Sequence, residues 1–390
     1  MRWRYRETVL ALCTLAFFVT MVGRLAISPV VPEIVETFAV SNAVVGLALT
    51  GMWLTYGLAQ YPSGVLADRY GERRVILLAV GGTTLAGLAV AVTPLFALFV
   101  LATVALGAVA GLHYSVATTL LARTYDDVGT AIGVHNSGAT VAGLLTPVVV
   151  AWITVRFGWR PAVAVVALVG VPATAIFAWK VRPTEPRRPK TPLRDRFQLT
   201  ATTELLSRPT IAFTLVIAVV GEFAWQGTAS FLPTFLIQHH GASTTLAGVV
   251  FSAYFVVQGV AQIGVGAVSD RIGRDRSIAG CMLAGVVGFG LLVTAPGLVS
   301  IFVGVTLVGV AMSFGPALMP RFLREFSAEE QNTGFGLVRT VYMIVASLGS
   351  VAVGLLADLF GWAVSFGFLA ASLAVVLLAL SANWALELGY

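Results

Sequence analysis

Gly57 to Arg74 reads GLAQYPSGVLADRYGERR, an apolar run that ends in a charged turn. A second version follows at Gly259 to Arg276, GVAQIGVGAVSDRIGRDR. Gly57, Ala59, Gln60, Gly64, Asp68, Arg69 and Gly71 match Gly259, Ala261, Gln262, Gly266, Asp270, Arg271 and Gly273 at a constant offset of 202. Chance rarely places so many identities in register, so the chain reads as two related halves. A further echo, at an offset of 203, pairs Thr130, Gly133, Phe157, Gly158 and Trp159 with Thr333, Gly336, Phe360, Gly361 and Trp362.

Composition sets the class. The 390 residues are 58% apolar and 11% charged, against about 25% charge in a soluble domain. Runs of the roughly 20 apolar residues that a spanning helix needs recur along nearly the whole chain. The alternating ten-residue segments of a membrane barrel do not appear. The class is therefore an all-α integral membrane protein. The net charge of +6 does not point to nucleic acid, because 20 of the 24 Lys and Arg fall on one side of the expected membrane. Arg156 and Arg160 fall on the other side, Arg24 and Arg339 inside helices. Such asymmetry marks the cytoplasmic face. Cys13 and Cys281 lie in apolar runs and suggest neither a disulfide framework nor a metal site.

Proline, glycine and charge clusters divide the chain into twelve apolar segments: 8–30, 43–66, 75–93, 96–121, 129–154, 160–180, 210–236, 245–268, 277–295, 298–320, 333–356 and 362–384. The charged start, MRWRYRE, precedes an apolar run with no clear small-residue cleavage site, so it is read as an uncleaved first helix. Both termini are then cytoplasmic in a multi-pass cell membrane protein. Val181 to Arg208, rich in Arg and Pro, is too polar for the bilayer. The expected organisation is a bundle over 1–180, a cytoplasmic linker over 181–208 and a second bundle over 209–390. With six helices in each half, corresponding helices run the same way, the arrangement of parallel repeats. Pro29, Pro32, Pro147, Pro233, Pro316 and Pro320 mark expected kinks.

GVLADRYGERR at 64–74 resembles the loop signature between helices two and three of the major facilitator superfamily, and GAVSDRIGRDR at 266–276 its counterpart between helices eight and nine. The resemblance covers essentially the whole chain and implies twelve helices in two pseudo-symmetric bundles. It also implies that Asp68 meets the start of the eleventh helix and Asp270 the start of the fifth, where exposed N–H groups favour a carboxylate. Gly64 and Gly266 would allow close packing, and Arg69 and Arg271 would hold contacts between helices. Gly64, Asp68, Arg69, Gly71, Gly266, Asp270, Arg271 and Gly273 are thus assigned to gating. Two departures stand out: Thr103 to Leu106 before Gly107 lack the buried Arg of many proton-coupled members, and Gly143 is separated from Pro147, unlike the Gly-Pro pair of drug exporters.

A charge inside a membrane helix is costly and calls for a partner, a cavity or a function. Arg24, in VTMVGRLAISPVVPEI, resembles an Arg in the first helix of the organic-anion and phosphate-ester branches, and guanidinium matches carboxylate geometry bidentately. Glu222, in the seventh segment, is the candidate proton-coupling group, or else an ionised partner of Arg24 or Arg339. Arg339 in the eleventh segment matches Asn136 at the offset of 203. His113, His135, Asn136, Trp225, Gln226 and Tyr342 complete the expected substrate-binding set.

No Walker loop, His/Cys cluster or nucleophile elbow appears, so no catalytic residue, metal or cofactor is expected. The expected function is alternating-access secondary transport, not enzymatic turnover: proton-coupled uptake of a small organic anion by a monomer in lipid. Export of drugs or metabolites is the alternative, and a non-transporting membrane sensor a third.

Overall fold

The computed structural model describes residues 4–186, 206–326 and 331–389, with the backbone alone over 331–336. Most of the expected linker at 181–208 lies outside these residues. Twelve helices are long and apolar enough to cross a membrane, and no strand occurs among the described residues. They are α1 (Tyr5–Phe38), α2 (Asn42–Tyr70), α3 (Glu72–Val92), α4 (Phe96–Thr124), α5 (Val128–Phe157), α6 (Trp159–Lys180), α7 (Pro209–His240), α8 (Thr244–Ile272), α9 (Arg274–Thr294), α10 (Leu298–Glu325), α11 (Leu337–Phe360) and α12 (Trp362–Ala385). All twelve expected segments are present.

The duplicated glycines share a backbone conformation. Gly71 and Gly273, which precede α3 and α9, have φ of 87° and 95°; Gly158 and Gly361, which precede α6 and α12, have 84° and 86°. Side chains with a Cβ avoid this region, so glycine is what lets the chain reverse within one residue at both pairs of turns. Elsewhere side chains close the helix ends. Asp127 accepts from the Thr130 N–H at 3.2 Å and caps α5. The Thr130 hydroxyl and N–H together hold its carboxyl below the usual carboxylate range. Arg73 donates from Nε to the Val181 carbonyl at 2.7 Å and from Nη2 to the Ala178 carbonyl at 2.5 Å, satisfying the end of α6.

Four of the helices are broken. α1 is interrupted by a 3-10 turn at Ser28–Val30, which contains Pro29. α4 breaks between Gly111 and Tyr114, α10 between Ala311 and Gly315, and α11 between Ala346 and Leu348. Proline does not account for all of them: Pro147 and Pro233 lie inside helices that run on unbroken, whereas α4 and α11 break at His113 and Ser347. At Ser347 the cause is an inserted side chain. The Thr50 hydroxyl donates to the Ser347 carbonyl at 2.9 Å and accepts from the Val351 N–H at 3.1 Å, replacing one rung of the helix ladder.

The chain forms two compact units. The first comprises Met1–Phe38 and Gly51–Phe197; the second comprises Ala39–Thr50 and Gln198–Tyr390. In the first, α1 packs on α5 and α3 on α4 and α6. In the second, α9 packs on α10 and α12, and α7 on α11. The first turns of α2 belong to the second unit, where they run along α11. A Cβ at Gly46 would lie 2.7 Å from the Ser350 carbonyl, and one at Gly354 2.5 Å from that of Asn42. Asp358 accepts from the Ala43 N–H at 2.7 Å and from Asn42 Nδ2 at 2.8 Å, so its carboxylate covers the start of α2.

Close packing at Gly64 is not found: a Cβ there would meet nothing within 4 Å, and one at Gly266 would touch Pro316 at an ordinary 3.6 Å. The tight contacts of α2 lie earlier, where Gly107 of α4 seats on the Met52 carbonyl and Gly111 on that of Tyr56.

Candidate functional site

In the first unit the site is built around Arg24, which ends the first section of α1 just before its break. The side chain is 4% exposed. Its Nε donates to the Thr20 carbonyl at 3.1 Å, and Nη2 lies 2.8 Å from the Met21 sulfur. Its guanidinium carbon stands 4.0 Å from the Tyr56 ring centre and 5.3 Å from that of Trp53. Trp53 and Tyr56 are three residues apart on α2 and so share a face. The seating of Gly107 and Gly111 on this stretch holds that face in place. None of these four groups carries formal charge; the aromatic faces orient the cation by their quadrupoles.

Beside Arg24 lies an aromatic-histidine cluster. Phe17, two turns earlier on α1, stacks on His135 at 4.9 Å and on His113 at 5.7 Å. The two imidazoles are 5.4 Å apart, and Tyr114 lies 6.0 Å from His135. Both histidines are fully buried, and the Cys13 backbone lies within reach of both rings. His113 occupies the break in α4 and lies within electrostatic range of Arg24. Gly138 lets α5 approach the Thr14 backbone, which brings His135 onto Phe17. Asn136, next to His135, is exposed.

The second unit holds a separate polar group. Glu222 on α7 lies within electrostatic range of Arg339 on α11 and of Tyr254 on α8. One turn along α7, Gln226 is fully buried, and neither end of its carboxamide makes a hydrogen bond. Tyr342 is buried at 4% exposure and Trp225 is half-buried. Of the gating set, Gly71 and Gly273 occupy the matched turns, the Arg69 guanidinium lies 5.4 Å from the Tyr70 ring centre, and Asp270 lines a cavity of about 560 Å³ with Arg274 and Arg321. No cluster of three metal-ligating side chains occurs among the described residues.

Sequence reading found the charged and imidazole groups but missed Phe17, Trp53, Tyr56 and Tyr254. The pair Trp53 and Tyr56, at helical spacing just before Gly57, was the available signal: a buried Arg favours aromatic faces.

The chain is 28% identical over 184 residues to the "Probable sulfoacetate transporter SauU" of Cupriavidus necator, a match covering 46% of this chain and 42% of that one. It is 26% identical over 359 residues to the "Probable 4-methylmuconolactone transporter" of Cupriavidus pinatubonensis, covering 86% of this chain and 80% of that one. The fold superposes on the crystal structure of the nucleoside transporter NupG with a TM-score of 0.83 at 13% identity, covering 97% and 99% of the two chains. The family profile described as Major Facilitator Superfamily matches residues 13–245 and 214–386. The chain belongs to the major facilitator superfamily of membrane transporters, not to an enzyme family.

Proposed function

We propose that this transporter takes up a small organic anion, a carboxylate or sulfonate, with protons as the coupling ion. The observation that carries the reading is Arg24: a buried guanidinium at a helix break, presented by the faces of Tyr56 and Trp53. A permanent cation inside a membrane helix calls for a partner, a cavity or a function, and its forked donors match a carboxylate or sulfonate in two-point contact. The names of the sulfoacetate and methylmuconolactone relatives support the same class of substrate. His113, His135 and Tyr114 offer polar contacts beside it, with Asn136, Trp225, Gln226, Tyr342 and Arg339 as further members of the binding set. Glu222, a carboxyl within electrostatic range of a cation and a phenol, is the proton-coupling group. The excess of Lys and Arg at one end supports a cytoplasmic side for that end and for both termini, in the cell membrane. Gly64, Asp68, Arg69 and Gly71, with Gly266, Asp270, Arg271 and Gly273, act in gating.

The test is uptake of sulfoacetate and a panel of small carboxylates into proteoliposomes under an imposed proton gradient. Arg24→Gln abolishes uptake while the protein still inserts and folds, and Arg24→Lys, which keeps charge but loses the fork, retains a small fraction. Unchanged uptake kinetics in Arg24→Gln would reject the assignment.

A further inference from the structure

Tyr254 on α8 is buried beyond what packing explains. Its ring is fully enclosed, fixed by Phe251 at 6.1 Å and Phe255 at 4.9 Å, yet its hydroxyl makes no hydrogen bond. A phenylalanine would fill the same space without stranding a donor. In a membrane interior, where water is scarce, a buried O–H needs an acceptor in some state of the protein. The carboxyl group within electrostatic range of it is Glu222, on α7, which packs on α8.

The surroundings of Glu222 limit the choice of partner. Arg339 of α11 is the charged group within electrostatic range of it, and Tyr254 of α8 the titratable one. α12 carries no titratable residue between Trp362 and Ala385. On α10 the titratable residues are Arg321, Arg324 and Glu325, near its end, where Arg321 is bonded to Asp275 and Thr214. Arg339 supplies charge but no group that can also remain neutral beside a protonated carboxyl. A phenol can: it donates to a carboxylate and tolerates a carboxylic acid.

We infer that the Tyr254 hydroxyl is the donor that holds the Glu222 carboxylate when the carrier is deprotonated, which makes Tyr254 a positioning residue for the coupling step. The inference rests on the coupling role of Glu222 proposed above. In the step itself Glu222 releases its proton, one carboxylate oxygen then accepts from the Tyr254 O–H, and the phenol keeps its own proton. On reprotonation that hydrogen bond is given up.

The test is infrared titration of the Glu222 carboxyl in nanodiscs, with the band identified by its loss in Glu222→Gln. In Tyr254→Phe the band persists to higher pH than in wild type by about one unit, the tenfold change expected for loss of one charge-assisted hydrogen bond. Site-specific fluorotyrosine at position 254, a stronger donor of the same shape, moves the midpoint the opposite way. Coincident titrations of wild type and both variants would overturn the inference, whatever their thermal stability. A wild-type chain with no Glu222 band at any pH would overturn the coupling role and the inference together. The titration needs no substrate, so a wild type that carries neither sulfoacetate nor carboxylates would remove the anion reading and leave the Tyr254 result standing.

Discussion

Replacing Thr50 by Val keeps the shape of the side chain and deletes the hydroxyl that bridges the break in α11. Thr50 is 5% exposed, with its oxygen placed between the Ser347 carbonyl at 2.9 Å and the Val351 N–H at 3.1 Å. Those two groups are the i−4 and i partners of an ordinary helix rung, but α2 lies in the way of their closing. Gly46 already holds the α2 backbone so near that a Cβ would be 2.7 Å from the Ser350 carbonyl. The valine variant therefore strands one donor and one acceptor. At about 1–3 kcal/mol for each unsatisfied buried group, the loss is about 2–6 kcal/mol. Thr50→Ser, which keeps the oxygen, costs about 1 kcal/mol or less for one methyl group. The assay is equilibrium unfolding in nanodiscs by steric trapping, comparing Val with Ser in one lipid. A valine variant within about 0.5 kcal/mol of the serine variant, the range of uninvolved positions, would refute the bridging role.

Three further substitutions test other parts of the structure. Gly107→Ala places a methyl group against the Met52 carbonyl, a backbone atom that cannot swing aside; the expected loss is about 1–3 kcal/mol from overpacking, read as a lower melting temperature, and because the contact seats Trp53 and Tyr56, weaker anion binding accompanies it. Arg123→Gln removes the 2.6 Å partner of Glu72, whose side chain is 3% exposed while that of Arg123 is 47% exposed. Its expected cost is about 1–3 kcal/mol, below that of a fully buried pair because water reaches Arg123, and equal stability in Arg123→Gln and Arg123→Lys would show that the charge is irrelevant. Glu222→Gln holds the group neutral, so gradient-driven uptake is lost while exchange of labelled for unlabelled substrate persists. Gradient-driven accumulation at the wild-type level in that variant would remove Glu222 from coupling.

The fold was legible because two kinds of signal survive in an apolar sequence. Repetition is one: the matched signatures implied equivalent turns, and Gly71 with Gly273, and Gly158 with Gly361, do take the same positive φ. Charge is the other, since a helix cannot carry Asp68-Arg69 or the Arg-rich linker through lipid, so these residues punctuated the twelve spans. The same reasoning drew attention to Arg24 and Glu222, which are too costly to be incidental. Proline was a poorer guide. Pro233 sits in an unbroken α7, whereas α11 breaks where a threonine from another helix enters its ladder. That cause lies 297 residues away in sequence.

Side-chain pairing was not legible, and the reason is physical. In a water-soluble helix the apolar stripe shows which face is inside. In a bilayer the lipid is as apolar as the interior, and that contrast vanishes. On α4, Phe99 is fully buried and Leu101, two residues on, is 65% exposed. Nothing in the hydropathy of these residues separates them. What does separate the faces is the small polar remainder that lipid cannot satisfy: Thr50, Gln226 and Tyr254 among them. Each must point to a partner in some state of the protein, because the bilayer offers none. Where such an atom has its partner, as at Thr50, it reports how helices are fastened. Where the partner is missing, as at Tyr254, the group that completes it belongs to another step of the transport cycle, and the unsatisfied atom shows where to look for that step.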